Sequence, residues 1–179
     1  MSSNEPNPVL KAIADRRSNR GYKSDPLTQE QLDALLAAAM QSPSAGNRQP
    51  WHFSVVQSSA ILADINRAAS EAARKDLGDI FFGAPTVIFI SCEPDGRWGR
   101  LDCGIAVENI ALAAHALGLG SVILGMPEGA FNGPEGSSFN ARLKFPPTHK
   151  YAVAIAVGVP TKTKEAHPLL EGRIDYIDG

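Results

Sequence analysis

The loop at residues 41–52 is rich in side chains that donate and accept hydrogen bonds. It carries Ser44, Asn47 and Gln49, and almost nothing apolar precedes Trp51. A carboxamide offers a donor and an acceptor together, so two of them suit the edge of a planar heterocycle in a ligand site. Ordinary turn chemistry is the alternative interpretation, because Ser, Pro, Gly and Asn are all common turn residues.

A compact cationic cluster lies near the amino end. Arg16, Arg17, Ser18 and Arg20 fall within one short stretch. A phosphate monoester carries about −1.5 to −2 charges and offers three acceptor oxygens. An arginine fork binds two of these oxygens, and a serine hydroxyl can bind a third. The cluster therefore predicts a phosphate site, with a solvated helix end, where cations favour the helix dipole, as the alternative.

A phosphate site and a loop suited to a polar ring together outline a flavin mononucleotide (FMN). The pyrimidine ring of a flavin presents C2=O, N3–H and C4=O in sequence, a pattern that the carboxamides of Asn47 and Gln49 can match. We therefore predict that the two segments bind opposite ends of one FMN.

A glycine-containing stretch, 118–126, does not form a dinucleotide fingerprint. Ile123 stands where the third glycine of GxGxxG belongs, and the glycines follow a predicted helix instead of a strand. Gly118 is better explained as a helix C-cap. Gly125 would let the main chain approach a ligand closely, and its N–H is predicted to lie near flavin N5.

Other chemistries find little support in the sequence. The net charge of −2 predicts no general attraction to nucleic acid or to an anionic membrane. The four histidines share no metal-ligand spacing, and Cys92 and Cys103 form no CxxC motif. We predict two reduced, partly buried cysteines, no metal site and no catalytic side chain.

Length and composition are typical of one globular domain. We expect a single FMN-binding domain over residues 1–179, with 44% apolar and 20% charged residues. No apolar stretch approaches the roughly 20 residues of a membrane span. The first residues do not resemble a signal peptide, so we expect a cytoplasmic protein.

Hydrophobic periodicity predicts the elements that position these residues. A capping box is expected at Thr28 and Gln31. Helices are predicted at 8–17, 28–40, 60–75 and 102–117, and strands at 51–56, 86–90, 121–124, 151–157 and, at an edge, 174–177. The pattern predicts an α+β fold with a mixed or mostly antiparallel sheet flanked by helices. The helix at 102–117 is apolar almost all round, which suits either the centre of the fold or contact with a second copy.

With these motifs assembled, the chain resembles the nitroreductase superfamily of FMN-dependent oxidoreductases. The motifs are Arg-Arg-Ser-Asn-Arg, Pro-Ser-Ala-x-Asn-x-Gln-Pro-Trp, Ala-Leu-Gly-Leu-Gly-Ser and Ala-Ile-Ala-Val-Gly-Val-Pro. The resemblance implies an α+β fold and an intertwined homodimer with two FMN sites at the subunit interface. It also implies a ping-pong cycle, in which NAD(P)H reduces the flavin and a small-molecule acceptor is then reduced.

The resemblance also implies roles for the cationic cluster. Arg16 and Ser18 would bind the phosphate and the ribityl chain, with Arg17 alongside. Arg20 would lie near flavin N1–C2=O. His167 would be a second phosphate ligand, with Arg173 as the other candidate for that role.

The remaining implied contacts concern the flavin ring. The partner subunit would supply Pro43, Ser44, Ala45 and Asn47, and Gln49 would lie near the ring edge. The main chain of Leu124 and Gly125 would lie near N5 and C4=O.

Three functions remain open from the sequence. The first is an FMN-dependent NAD(P)H oxidoreductase acting on nitroaromatic, quinone or similar electron-poor acceptors. The second is a non-enzymatic FMN-binding module for storage or sensing. The third is a domain that binds another phosphorylated ligand.

Overall fold

The computed structural model describes residues 7–94, 97–162, 164–166, 168 and 170–177. The helices of this part of the chain are α1 (Pro8–Asp15), α2 (Gln29–Met40), α3 (Ser59–Ala73), α4 (Gly99–Ala116), α5 (Glu128–Asn132) and α6 (Gly136–Arg142). The strands are β1 (Trp51–Val56), β2 (Thr86–Cys92), β3 (Gly120–Leu124) and β4 (Lys150–Gly158). A short 3-10 turn, Ala45–Asn47, lies in the loop after α2.

The four strands form one sheet in the order β1-β2-β4-β3, and every neighbouring pair is antiparallel. All residues of the central strand β2 are buried, as its continuous apolar run predicts. The predicted α+β fold is confirmed, and the sheet is antiparallel throughout, not mixed.

Helices cover both faces of the sheet. On one face, α3, α5 and α6 pack on an aromatic core that includes Phe89, Phe131 and Tyr151. The rings of Phe131 and Tyr151 stack with centroids 4.7 Å apart. On the other face, α2 and α4 pack on Ile88, Ile155 and their neighbours. The second face matters here, because α4 runs between the two segments predicted to bind the ligand.

Helix ends follow local sequence signals. The Thr28 hydroxyl accepts from the Gln31 N–H while the Gln31 side chain accepts from the Thr28 N–H, which confirms the predicted capping box. Gly118 lies two residues after the last residue of α4, Ala116, and has φ of +73°. Its N–H donates to His115 O, so the predicted C-cap is confirmed.

Two short helices and the tail differ from the sequence-based expectation. The prediction had no helix at α5 or α6, whose stretch is rich in Gly, Ser and Pro; both helices exist because buried Phe131 and Phe139 pack against the sheet. The predicted edge strand at 174–177 is wrong for this chain. These residues do not pair with the sheet, and Ile174, Tyr176 and Ile177 are exposed.

Helix α4 is buried on one side only. Ala106, Ile110 and Ala114 face the core, whereas Leu101 near the start of the helix is exposed. Contact with a second copy, one of the two arrangements predicted for this helix, stays a prediction. No helix among the described residues is long and apolar enough to cross a membrane.

Candidate functional site

The segment at residues 16–20 is fixed along the sheet edge formed by β3. The Asn19 N–H donates to Ser121 O at 2.8 Å, and the Asn19 side-chain amide donates to Lys162 O at 3.0 Å. The Tyr22 hydroxyl donates to Asn19 O at 2.7 Å. Because these bonds come from β3 and from the chain after β4, the cationic segment has a defined position before any ligand binds.

The three arginines of this segment have different surroundings. Arg16 Nε lies 3.2 Å from Glu108 Oε1 on α4. The Arg17 guanidinium donates to two main-chain carbonyls at the end of α1. Arg20 is exposed and forms no ion pair with any carboxylate of the described residues. Its guanidinium carbon lies 5.6 Å from the ring centre of Phe82. The charge of Arg20 is therefore available to a ligand.

The main chain is exposed at the end of β3 that lies away from the cationic segment. Gly125 directly follows β3 and is exposed, and a Cβ placed on it would meet no atom within 4 Å. The preceding carbonyl, Leu124 O, accepts from the Tyr151 hydroxyl at 2.8 Å. Burial raises the pKa of Tyr151, so its phenol stays protonated and keeps donating. The end of β3 is thus held in place while Gly125 stays accessible.

The cationic segment and Gly125 are one strand length apart. Ser18 pairs with Ser121 in an isolated parallel bridge, and Gly125 lies four residues further along the chain. At about 3.3 Å per residue, the separation is roughly 13 Å. An extended nucleotide can place its phosphate at one end of such an edge and its ring at the other.

The loop at residues 43–49 has an unusual backbone. Gly46, Asn47 and Gln49 have φ of 60°, 54° and 48°. Asparagine and glycine tolerate this region, whereas Gln49 is strained there. The Gln49 side-chain amide donates to Asn47 Oδ1 at 3.0 Å, and its N–H donates to Ser44 Oγ at 2.9 Å. The two predicted ring-binding carboxamides are therefore exposed and paired with each other.

Helix α4 holds this loop. The Ala45 N–H donates to the two carboxylate oxygens of Asp102 at 3.2 and 3.3 Å, and Asp102 is only 4% exposed. The Asn109 side-chain amide donates to Ser42 Oγ at 2.8 Å. Pro43 lies between these two attachments and is exposed. The loop is thus fixed at its start, and its carboxamide end projects to solvent.

Within one chain, the structure does not bring the loop and the cationic segment together. The loop leads into β1, and β1 and β3 are opposite edges of the sheet. Three strand spacings of about 4.8 Å place the two edges roughly 14 Å apart. The loop and Gly125 do share one end of the sheet, since β4 begins there: Trp51 pairs with Cys92, which pairs with Lys150. Supply of the loop by a partner subunit, as the resemblance implies, stays a prediction.

The second predicted phosphate contact is only partly described. His167 lies outside the described residues. Arg173 is exposed in the tail. Lys162 is exposed and lies beside the cluster, because its carbonyl accepts from Asn19. The sequence motifs gave no sign of this proximity.

Sequence reasoning also missed the supporting residues Asn19 and Asp102. Asn19 is buried beside Gly120, where an added Cβ would lie 2.8 Å from Asn19 Cγ. The motif Arg-Arg-Ser-Asn-Arg contains Asn19 but gives no hint of that contact. Asp102 sits in an apolar helix stretch and reaches a loop 57 residues away, a relation that no spacing rule reveals.

Other reactive side chains lie outside this edge. Cys92 and Cys103 are buried and reduced, and a hydrogen bond between them, with burial, raises the pKa of Cys103. Such thiols are unreactive. His52 and His149 meet edge to face with ring centres 6.3 Å apart. In the described part of the chain, no group of three His, Cys, Asp or Glu residues could hold a metal ion.

The chemistry of the β3 edge fits FMN. The phosphate would find Arg16, Arg17 and Ser18 at one end, and the ring would find exposed main chain at Gly125. Arg20, which meets no carboxylate of the described residues, would supply a cation for an electron-accepting ring. The fit is incomplete in one respect, because the predicted carboxamides lie at the other sheet edge.

Comparison with known proteins points to the nitroreductases, as the sequence motifs do. The family model described as the Nitroreductase family matches residues 13–159. A protein of Methanothermobacter thermautotrophicus, named as a candidate NADH dehydrogenase/NAD(P)H nitroreductase, is 40% identical over 123 residues. That match covers 66% of this chain and 61% of the relative, so this chain spans less than two thirds of the relative's length. The FMN reductase [NAD(P)H] of Bacillus subtilis is 31% identical over 150 residues, covering 69% of this chain and 56% of that protein.

A solved structure agrees over nearly the whole chain. A nitroreductase with bound FMN from Desulfitobacterium hafniense superposes with a TM-score of 0.90 at 29% identity, covering 97% of this chain and 100% of that one. The matched region contains both motif segments and all four strands. The chain therefore belongs to the Nitroreductase family.

Proposed function

We propose that this protein is an FMN-dependent oxidoreductase that passes electrons from NAD(P)H to nitroaromatic, quinone or similar electron-poor acceptors. One observation carries the proposal: the cationic segment and the open main chain of Gly125 lie along one sheet edge, about one strand length apart. Within that segment Arg20 meets no carboxylate of the described residues. The nitroreductase and FMN reductase names of the relatives support the reaction class.

The phosphate end of the site is assigned to Arg16, Arg17 and Ser18. Arg16 already contacts Glu108 through Nε, which leaves the other guanidinium nitrogens for phosphate oxygens. The Glu108 contact orients the guanidinium before binding, so less rotamer freedom is lost when the phosphate arrives.

The ring is assigned to the space between Arg20 and the main chain of Leu124 and Gly125. When bound, FMN would supply the hydride chemistry, as cofactors generally do. Arg20 would stabilise negative charge at N1–C2=O, and the main chain would orient the ring edge. We assign no acid or base to the protein, because binding, orientation and electrostatics are its contributions to such a reaction.

We also propose a homodimer with the cofactor at the interface. One face of α1 presents Val9, Leu10 and Ile13, which are 53–65% exposed, and α1 has no buried residue at all. Leu101 of α4 and Leu117, just after the end of that helix, are exposed as well. An exposed apolar face such as that of α1 favours an interaction site, and a second copy is the partner that the resemblance implies.

In such a dimer, each site takes its carboxamide loop from the partner. Pro43, Ser44, Ala45, Asn47 and Gln49 form that loop. In one chain they lie at the sheet edge opposite the cationic segment, at the same end of the sheet as Gly125. A loop that does not reach the cationic segment of its own chain can contact the cofactor bound to the partner subunit.

An absorption spectrum and an anaerobic titration test the proposed reaction. The purified protein, reconstituted with FMN, should show a bound flavin spectrum that bleaches on addition of NADH or NADPH. Turnover should then follow with a quinone or a nitroaromatic compound. Bound flavin that neither nicotinamide reduces would refute the oxidoreductase and leave a non-enzymatic FMN-binding module. Protein that binds no flavin would refute both.

Arg16→Ala tests the phosphate assignment. Loss of a charge-assisted hydrogen bond costs about 1.5–3 kcal/mol, so FMN should bind roughly tenfold to a hundredfold more weakly. Arg142→Ala is the matched control, because Arg142 is paired with Asp64 on the helical layer away from β3. Equal FMN affinity of the Arg16→Ala variant and the wild type would contradict the assignment.

A further inference from the structure

Phe82 adopts a backbone conformation that bulky residues avoid. Its φ is +59°, in the left-handed region that favours glycine. For a large side chain this is a genuine outlier. Such strain persists only where the surroundings impose it, and it is concentrated at functional sites.

The turn around Phe82 is imposed by Asp79. Its Oδ1 accepts from the Phe81 N–H at 2.9 Å, and its Oδ2 accepts from the Gly83 N–H at 2.6 Å. The Phe82 N–H itself donates to Asp79 O at 3.2 Å. One carboxylate therefore holds the residues on both sides of Phe82.

Helix α3 fixes the start of the same turn to the core. The Asn66 side-chain amide donates to Gly78 O at 2.8 Å, and its Oδ1 accepts from the Ile80 N–H at 2.8 Å. Ile80 and Phe81 are buried. The backbone of Phe82 is thus held from both directions, which fixes the direction in which its side chain leaves the main chain.

That ring meets Arg20. The Arg20 guanidinium carbon lies 5.6 Å from the ring centre, within the range of a cation–π contact. The Arg20 main chain is also held, because Asn19 and Tyr22 on either side bond to β3 and to each other. Phe82 is the described side chain whose contact restrains the Arg20 guanidinium, which has no carboxylate partner among the described residues.

We propose that Phe82 is a positioning residue of the flavin site, whose ring holds the Arg20 guanidinium toward N1–C2=O of the cofactor. This inference rests on the proposed function. A long, exposed arginine side chain must otherwise be ordered when the cofactor binds, and a preformed contact lowers that cost. The positive φ of Phe82 is the local strain that this placement requires.

Four variants test the proposal: Phe82→Leu, Phe82→Tyr, Arg20→Ala and the double variant. Flavin fluorescence quenching gives the FMN dissociation constant of each apoprotein, and a dye-coupled titration gives the reduction potential of each bound flavin. Phe82→Leu keeps an apolar side chain but loses the aromatic face. We expect it to weaken FMN binding about threefold to tenfold.

The reduction potential separates positioning from packing. A displaced Arg20 stabilises the reduced cofactor less, so Phe82→Leu should shift the potential to more negative values. A fivefold change in the reduced-to-oxidised affinity ratio corresponds to about 20 mV for a two-electron couple. Phe82→Tyr retains the aromatic face and should retain both wild-type values.

The double variant supplies the decisive comparison. If Phe82 acts through Arg20, then Phe82→Leu should change neither quantity in the Arg20→Ala background. An equal loss in both backgrounds would mean that Phe82 only fills space, and would overturn the inference. Phe82→Asn, which tolerates positive φ, repeats the test should the leucine variant fail to fold.

The result also separates this inference from the proposed function. Wild-type protein that binds FMN tightly, with an unchanged Phe82→Leu variant, would overturn the role of Phe82 alone. Wild-type protein that binds no FMN would overturn the proposed function and this inference with it.

Discussion

The two segments predicted to bind the cofactor are built in opposite ways. Residues 16–22 are bonded to β3 and to the chain after β4, and Arg20 meets no carboxylate in the part of the chain that the structure describes. Residues 43–49 are attached at Ala45 by a buried carboxylate, and their carboxamides, Asn47 and Gln49, bond to each other. The first segment therefore has a fixed main chain and a charge available to a ligand. The second also has a fixed position, but its carboxamides are paired with each other.

This difference indicates an order of events in binding. The main chain of the phosphate end needs no rearrangement, because hydrogen bonds to Ser121 O and Lys162 O already fix it. The carboxamide end must exchange the bond between Asn47 and Gln49 for bonds to the ring, and that exchange offsets part of the gain. Most of the net affinity is therefore expected from the cationic segment, with the loop supplying selectivity for the ring.

Mixing two defective chains gives the largest expected effect. Arg16→Ala and Asn47→Ala homodimers should both bind FMN weakly. If each site joins the cationic segment of one chain to the loop of the other, a mixed dimer contains one intact site and one doubly altered site. Co-refolded heterodimers, purified by two affinity tags, should bind one FMN per dimer with wild-type affinity.

Each homodimer, treated identically, is the control for that experiment. If the segment and the loop of one chain formed a site together, every site in the mixed dimer would carry one substitution. No wild-type affinity would then return, and the interface assignment would be wrong.

Gly120→Ala should produce the next largest effect, a loss of stability and of FMN affinity at the cationic segment. A Cβ there would lie 2.8 Å from Asn19 Cγ and 2.8 Å from Pro160 Cβ. Overpacking of this kind costs about 1–3 kcal/mol, measurable as a lower free energy of urea-induced unfolding. Because Asn19 holds the cationic segment, FMN binding should weaken as well.

Gly125→Ala is the matched control for Gly120→Ala. Its Cβ would meet no atom within 4 Å, so the stability of the apoprotein should be unchanged. The added methyl group would occupy the space assigned to the ring, and FMN affinity should fall. A stable Gly125→Ala variant with wild-type FMN affinity would contradict the assignment of that end.

The smallest expected effect is a pH dependence beside the loop end. Burial, and then the nearby His149, lower the pKa of His52 below its ordinary value. The unfolded chain therefore takes up a proton at a higher pH than the folded chain does. The free energy of unfolding should fall as the pH drops through about 6.5.

Urea unfolding at pH 7.5 and pH 5.5 measures this pH dependence. His52→Gln should reduce the difference in free energy of unfolding between the two pH values, because the titrating group is gone. An unchanged difference would show that other groups set the pH dependence.

Sequence reasoning succeeded where adjacent residues determine the outcome. The apolar run of β2 predicts a strand covered on both faces, and Thr28 and Gln31 predict a capping box, because each depends on near neighbours. Helices α5 and α6 escaped prediction because packing of Phe131 and Phe139 stabilises them, not local propensity. The edge strand at 174–177 was predicted from composition alone, which cannot identify a neighbouring strand.

The same distinction applies to the candidate site. Arginines within five residues and carboxamides two residues apart are visible in the sequence, so both segments could be proposed. The supports of those segments are distant in the chain: Asp102 reaches Ala45 across 57 residues, and Phe82 meets Arg20. Only folding brings such pairs together, and no motif links them.

Helix α4 touches both segments, through Glu108 to Arg16 and through Asp102 to Ala45. An intact helix is stiff along its length, so Glu108 and Asp102 move together. A tilt of α4 would therefore move both Arg16, which is assigned to the phosphate, and the loop that carries the carboxamides. A substitution that shifts α4 to improve one segment would therefore displace the other.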